Sequence, residues 1–460
     1  MRSLAVVMLI VLAVTPAAAE TPPRGEFVEG LSCASDPSQT YTLYLPSSYD
    51  PERRWPVLMV FDPRGRSVMA AELFREAAED YGWVIISSDN TRSDTESDFN
   101  TPAVNALWPE IQTRYSPDNR RVYTAGFSGT VAFSGYLGQQ TGALAGVIAT
   151  GGLFVEKAFK DTSYALFGAA GTADFNYREM RLLDGFLAEQ GNPHRLEFFD
   201  GAHTWMPVSV ARQAVEWMEL QAMRLGTRPK DDALVARLYA ADLAAGEELE
   251  AAGDTLGAHR RYEAIVRSFE GLGSVDEAKN HAHRLAAGPE LERARKNEKK
   301  WDRYEVRRRK ELDRTILQIE AAGTSQQATM LVRELRIDDL LERAAIDGPE
   351  GQAAGRLLSS TYAATSYYMV RKFFAADKYG HAEAVLEVAS QIRDDSPGVW
   401  YNLACARARS DKKPAALEAL ERAVELGFTD LEHIESDPDL ESLHREEGYQ
   451  AIVHRLRNVD

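Results

Sequence analysis

The chain has 460 residues, 44% of them apolar, a formal net charge of −17 and a pI of about 5.1. A chain of this length divides into two or three domains. Its acidic balance argues against nucleic acid or an anionic membrane as the main partner, since either requires clustered positive charge.

Residues 1–19 read as an export signal. Arg2 supplies the positive start, residues 4–14 are apolar but too short to span a bilayer, and Pro16 with Ala17, Ala18 and Ala19 forms a small-residue cleavage site before Glu20. No cysteine follows that site, so lipidation there is not expected, and no later segment is long and apolar enough to cross a membrane. The expected destination is the periplasm or the exterior. The 2 cysteines, Cys33 and Cys405, stand too far apart to build a disulfide framework and read as free thiols.

A first domain is expected over residues 24–226, where strand and helix patterns alternate. That alternation predicts an α/β fold with a mostly parallel sheet and helices on both faces. Residues 41–45 alternate as a strand, and 57–61 are a continuous apolar run suited to a buried parallel strand. A helix is predicted over 70–81, a strand over 83–87, a helix over 102–115 and strands over 121–125, 146–150, 164–169 and 196–199. An amphipathic helix over 208–225 closes the domain, and Gly226-Thr227-Arg228-Pro229 punctuates the chain.

Everything beyond reads as helix. Residues 230–322 form a helical region that includes one long charged helix over 291–322, best read as a solvated helix with ion pairs three and four apart. Residues 323–460 resemble tetratricopeptide repeats. Ala416, Leu420 and Ala423 repeat the small/large pattern of Ala382, Leu386 and Ala389 at an offset of about 34 residues. Gly253, Ala258, Tyr262 and Ile265 are a weaker copy. Such repeats either hold a protein or peptide partner or fold over the sheet's C-terminal edge and restrict access to it.

The chemistry-bearing motif is Gly126-Phe127-Ser128-Gly129-Thr130, between a strand and an Ala/Gly-rich helix. A serine on such a turn exposes its hydroxyl at the C-terminal edge of the sheet. Asp174 and His203 follow, each just after a predicted strand, which is the Ser, acid, His chain order of α/β-hydrolases. With Gly171-Thr172-Ala173-Asp174 and Gly201-Ala202-His203-Thr204-Trp205, the motif makes residues 40–225 similar to compact α/β-hydrolases of the esterase type, the relatives of polyhydroxybutyrate depolymerases, feruloyl esterases and dienelactone hydrolases. The usual motif ends in glycine where this chain has Thr130, which predicts a slightly wider turn.

Ser128 needs a base within hydrogen-bond reach. Between Glu20 and Leu225 only His194 and His203 are available, and His194 precedes its strand, at the wrong edge of a parallel sheet. His203 is therefore the expected base and Asp174 the acid that orients it. Asp200 is the rival acid, and Asp161 precedes its strand. The oxyanion hole is expected from the N–H of Gly129 and, because Pro63 has none, from Arg64 or Gly65. Phe127 and Trp205 are expected to wall the substrate pocket. No metal or cofactor is implied: His281 and His283 fall on different faces of a helix, and Gly151-Gly152 lacks a dinucleotide-motif context. The expectation is an exported serine carboxylesterase. A repeat scaffold with a silent hydrolase domain, or a peptidase or acyltransferase using the same triad, are the rival readings.

Overall fold

A computed structural model describes residues 22–95, 97–152 and 164–458. The expected export signal and Asp161 lie outside the described residues. The first half of the chain runs β1 (Phe27–Ser32), β2 (Thr40–Tyr44), β3 (Trp55–Phe61), α1 (Ser67–Glu72), α2 (Arg75–Tyr81), β4 (Val84–Ser88) and α3 (Asn100–Arg114). It continues with β5 (Pro117–Phe127), α4 (Gly129–Thr141), β6 (Gly146–Thr150), β7 (Ala165–Gly171), α5 (Tyr177–Gln190), β8 (His194–Phe199) and α6 (Val208–Arg224). The strands form one sheet of order β1-β2-β4-β3-β5-β6-β7-β8. Among the described residues, only β1–β2 and β2–β4 pair antiparallel. This mostly parallel sheet fits the α/β-hydrolase expectation, with β5 between β3 and β6 at its centre. Each residue of β3, β4, β6 and β7 is buried, as expected for strands covered by helices on both faces.

The predicted helix over 70–81 is in fact two. The chain turns at Leu73-Phe74 because Phe74 is drawn fully into the core, where its ring meets Trp205 edge-on with centroids 6.4 Å apart. β1, which the sequence did not reveal, adds an antiparallel edge.

The second half is helical. Three helices come first: α7 (Asp232–Ala251), α8 (Thr255–Phe269) and α9 (Asp276–Ala287). The long α10 (Pro289–Ala321) starts behind Gly288 with proline in its first turn. At 33 residues it spans roughly 50 Å. Then come α11 (Ser325–Val332), α12 (Ile337–Ala344) and α13 (Pro349–Ala363), a π-turn (Ala364–Tyr368) and α14 (Met369–Ala375). The chain ends with α15 (Tyr379–Ile392), α16 (Pro397–Arg409), α17 (Lys413–Glu425), α18 (Leu431–Ser436) and α19 (Glu447–Arg457). Ala382, Leu386 and Ala389 of α15, and Ala416, Leu420 and Ala423 of α17, are all buried where neighbouring helices meet.

The apolar core does not stop at Gly226. One cluster runs from Leu58, Ile85 and Phe167 through Val215 and Trp217 of α6 into Leu238, Tyr262, Phe269 and Ala278 of α7–α9. The opposite face of the sheet has its own core, which includes Val57, Leu107, Ile111 and Val147. The C-terminal helices share a third, which begins with Leu312 and Ile319 inside α10. That helix is therefore a strut with one face docked rather than a solvated rod. Leu291, Trp301, Glu305, Leu312 and Ile319 are its buried stripe, while Arg293–Glu290 and Lys296–Glu292 are the expected surface pairs. Among the described residues, no helix is long and apolar enough to cross a membrane.

Candidate active site

The parallel strands β3 through β8 all end at one edge of the sheet, where open α/β sheets bind their ligands. Ser128 sits at the end of β5 with φ 54° and ψ −124°, a conformation few side chains adopt, which costs about 1–3 kcal/mol where it is imposed. Its N–H donates to Thr150 O at 2.9 Å, which holds the turn against β6.

Thr130 fastens this turn. The side chain is fully buried. Its Oγ1 lies 2.6 Å from Phe61 O and 2.8 Å from Phe127 O, and it accepts the Phe127 N–H at 3.0 Å.

Ser128 Oγ lies 2.9 Å from His203 Nε2, and His203 Nδ1 lies 3.0 Å from each carboxylate oxygen of Asp174. An acceptor-only carboxylate on Nδ1 assigns the proton to that nitrogen, which leaves Nε2 to accept the serine proton. Asp174 is fully buried and also accepts the Asn176 N–H at 2.8 Å. The His203 ring is held between Phe127 and Phe175, with centroids 4.8 and 4.2 Å away. The rejected alternatives lie elsewhere. Asp200 is exposed, and His194 opens β8 with its ring nitrogens on Asn192 O and Asp184.

Several contributors have roles that the sequence did not assign to them. Gly151, at φ 52°, makes room for the acid–base pair: a Cβ there would lie 2.6 Å from Asp174 Oδ2 and 3.3 Å from His203 Nδ1. Asn176 closes the loop by donating from Nδ2 to Gly151 O at 2.8 Å. Gly171 lets the end of β7 pass against Gly201 O and Ala202 O. These roles depend on loops meeting in space, and no local pattern announces them.

The expected oxyanion donors divide. Gly129 opens α4, and its N–H has no acceptor among the described residues, as befits the first turn of a helix. Arg64 and Gly65 do not match the expectation, because both N–H groups are engaged inside their own turn. Arg64 N–H donates to Asp62 Oδ1 at 2.8 Å, and Gly65 N–H to Asp62 O at 3.1 Å. Asp62 is fully buried and also receives Arg66 and the Trp205 indole N–H, the latter at 2.8 Å. Burial pushes the Asp62 carboxyl up, but the bonds from Arg66, Trp205 and Arg64 N–H outweigh it and hold it below the ordinary carboxylate range. It stays an anion, and that anion organises the loop.

Ser128, His203, Phe127 and Trp205 face a cavity of about 480 Å³. Its roof comes from the helical half: Leu358 and Tyr362 of α13, and Ser366, Tyr367 and Tyr368 of the π-turn. A π-turn is rare and frequently marks a functional site. Of the two roles expected for the helices, folding over the sheet's C-terminal edge is the one this cover matches, and it is delivered from far along the chain. It is tied down on the loops of the site. Arg356 donates to Thr172 O and Arg309 to Phe175 O, each at 3.1 Å, and Arg371 donates to Asp94 O at 3.4 Å. The Arg64 guanidinium lies 5.4 Å from the centre of the Tyr367 ring. A second cavity of about 550 Å³ lies against β8, α8 and α10, and its arginines are already paired with acids, for example Arg181 with Glu298 and Arg261 with Glu197.

No family model matches the chain. Among curated proteins it is similar to a chloroplastic protein of Arabidopsis thaliana, at 38% identity over 93 residues. The match takes in 19% of this chain and only 28% of that protein. Among solved structures it overlaps a ferulic acid esterase at 17% identity and a TM-score of 0.36, over 42% of this chain and 96% of that one. It overlaps Staphylococcus aureus FphF, a fluorophosphonate-binding serine hydrolase, at 13% identity and a TM-score of 0.36, over 43% of this chain and 99% of that one. Porphyromonas gingivalis dipeptidyl peptidase 4 overlaps at 16% identity and a TM-score of 0.35, over 42% and 35%.

Proposed function

We propose that the chain is an exported serine hydrolase that cleaves carboxylic esters through an acyl-enzyme. Ser128 Oγ attacks the ester carbonyl while His203 Nε2 takes its proton. Asp174 stabilises the imidazolium and keeps its orientation. His203 then returns the proton to the leaving alcohol, and water, activated by the same histidine, releases the acid. No cofactor or metal takes part in this scheme. The observation that carries the reading is the continuous hydrogen-bonded line from Ser128 through His203 to buried Asp174, with the serine on a positive-φ turn at a helix N-terminus.

The aromatic walls and the roof favour a compact ester over a polymer entering from the side. Turnover of short-chain p-nitrophenyl esters, beside the matching p-nitroanilides, tests the assignment. Ser128→Ala should reduce ester kcat by about 10⁶-fold, to background, with an unchanged melting profile. Turnover that survives the change would give way to the scaffold reading. Faster anilide than ester cleavage would make the chain a peptidase.

A further inference from the structure

An oxyanion hole needs two donors, and the loop after β3 has none to give, because Asp62 engages the N–H groups of both Arg64 and Gly65. Gly129 N–H is one donor. The other must reach the same point from a different element.

Ser93, in the loop after β4, is positioned to do so. Its own N–H donates to Pro63 O at 3.1 Å, which binds the two loops side by side. Its side chain presses on Gly129: a Cβ built on that glycine would lie 2.5 Å from Ser93 Cβ and 2.8 Å from Ser93 Oγ. The hydroxyl therefore lies beside Gly129, whose N–H has no acceptor among the described residues, and Ser93 lines the cavity that holds Ser128 and His203. In this structure it donates to Asp94 Oδ2 at 3.0 Å, a bond that rotation of the hydroxyl proton about Cβ–Oγ exchanges for another acceptor while Oγ stays in place.

The loop itself is fixed from several sides. Thr91 Oγ1 donates to Asp62 O at 2.8 Å, and Arg92 Nη1 to Thr91 O at 2.7 Å. Arg92 N–H donates to Asn100 Oδ1 at 3.0 Å. Asp94 carries a positive φ of 56°, and its carbonyl takes Arg371 of α14 at 3.4 Å.

We propose that Ser93 Oγ–H is the second oxyanion donor, acting with Gly129 N–H. The proposal rests on the serine hydrolase reading above. When Ser128 Oγ bonds to the carbonyl carbon, the C=O π pair moves onto oxygen and the serine proton moves to His203. Gly129 N–H and Ser93 O–H each donate a hydrogen bond to that oxygen, without giving up their protons. Collapse restores C=O and expels the alcohol with the proton from His203. A side chain at 129 would strike Ser93, which gives Gly129 a reason to lack one beyond the turn itself.

The test is Ser93→Ala beside Ser128→Ala on p-nitrophenyl butyrate, in the full chain. Ser93→Ala should lower kcat by about 10²–10³-fold with KM nearly unchanged. Labelling by a fluorophosphonate, whose phosphoryl oxygen occupies the oxyanion position, should slow by a similar factor. The melting temperature should stay within a degree or two, because an exposed bond to Asp94 is all the fold loses. Ser93→Ala turning over within twofold of the parent, while Ser128→Ala is dead, would overturn the donor assignment and leave the hydrolase intact. A raised KM with unchanged kcat would overturn it as well, since that is loss of ground-state binding. Turnover persisting in Ser128→Ala would overturn the hydrolase reading and this one with it.

Discussion

Thr130 shows how a single hydroxyl can replace the glycine of a nucleophile turn. A branched side chain at this position is tolerated because its Oγ1 sits among three backbone groups, at Phe61 O, Phe127 O and Phe127 N–H, all inside the core. Thr130→Val keeps the shape but leaves those buried groups unpartnered, which should cost about 1–3 kcal/mol in urea unfolding. Thr130→Ser, which keeps the hydroxyl, should recover most of that loss; a valine variant as stable as the parent would show the bonds to be incidental. Asp174→Asn is expected to lower kcat by about 10⁴-fold with little change in fold, because an amide can no longer hold the Nδ1-protonated tautomer. Equal activity in that variant would mean that Asp174 does not orient the base. At this scale much was legible. Ser128, Asp174 and His203 each follow a strand that the hydrophobic pattern announces, so their meeting could be read from chain order. The engagement of Arg64 and Gly65 could not, because whether an N–H is free depends on which carboxylate folds onto it, and Asp62 does so within its own turn.

Among the elements, the helices behind the sheet are tied together by one acid. Glu250, near the end of α7, accepts from Tyr262 of α8 at 2.8 Å and from His281 and Arg284 of α9 at 3.0 and 2.7 Å. Burial pushes its carboxyl up, but the bonds from Arg284, His281 and Tyr262 prevail and bring it down from 4.5 to about 2. In the unfolded chain the group protonates near 4.5, and in the folded chain only near 2. Its stabilisation is thus complete above that upper value and is lost as the pH falls through the lower one. Melting temperature followed from pH 7 to 2 should fall less steeply below the ordinary carboxylate range in Glu250→Gln than in the parent. Parallel curves would show that Glu250 contributes no linked stability. The elements the sequence hid have physical reasons for hiding. β1 is a half-exposed edge strand whose register slips between Val28 and Leu31, so it has little alternation to read. The break between α1 and α2 falls inside a continuous apolar pattern, and only the burial of Phe74 decides it.

For the whole molecule, the question is where the α/β domain ends. The sequence places the end at Gly226, where strand patterns cease, but the core continues into α7–α9. Polar contacts say the same. Arg195 of β8, almost fully buried, pairs with Asp242 of α7 at 2.6 Å, and Arg261 of α8 reaches back to Glu197 of β8 at 2.6 Å. Trp217 of α6 donates to Ser268 of α8 at 3.0 Å. A chain cut to residues 24–226 would bare the apolar face of α6 and take Asp242 and Arg261 away from the Arg195–Glu197 pair. It should aggregate or melt without cooperativity. A chain of residues 24–287 keeps that core and should melt cooperatively. It loses α10, α13 and α14, and with them the bonds from Arg309, Arg356 and Arg371 to the loops of Phe175, Thr172 and Asp94. Its site should therefore be open and its loops looser, so that kcat on a small ester falls while bulky esters are handled relatively better than by the full chain. The sequence offered this roof only as one of two roles for the helices, because its ties join residues more than a hundred positions apart through side chains that look, one at a time, like ordinary surface arginines. Cooperative melting of the shorter chain would restore the boundary at 226, and an unchanged ratio of bulky to small ester turnover in the longer one would mean that the roof does not govern access to Ser128.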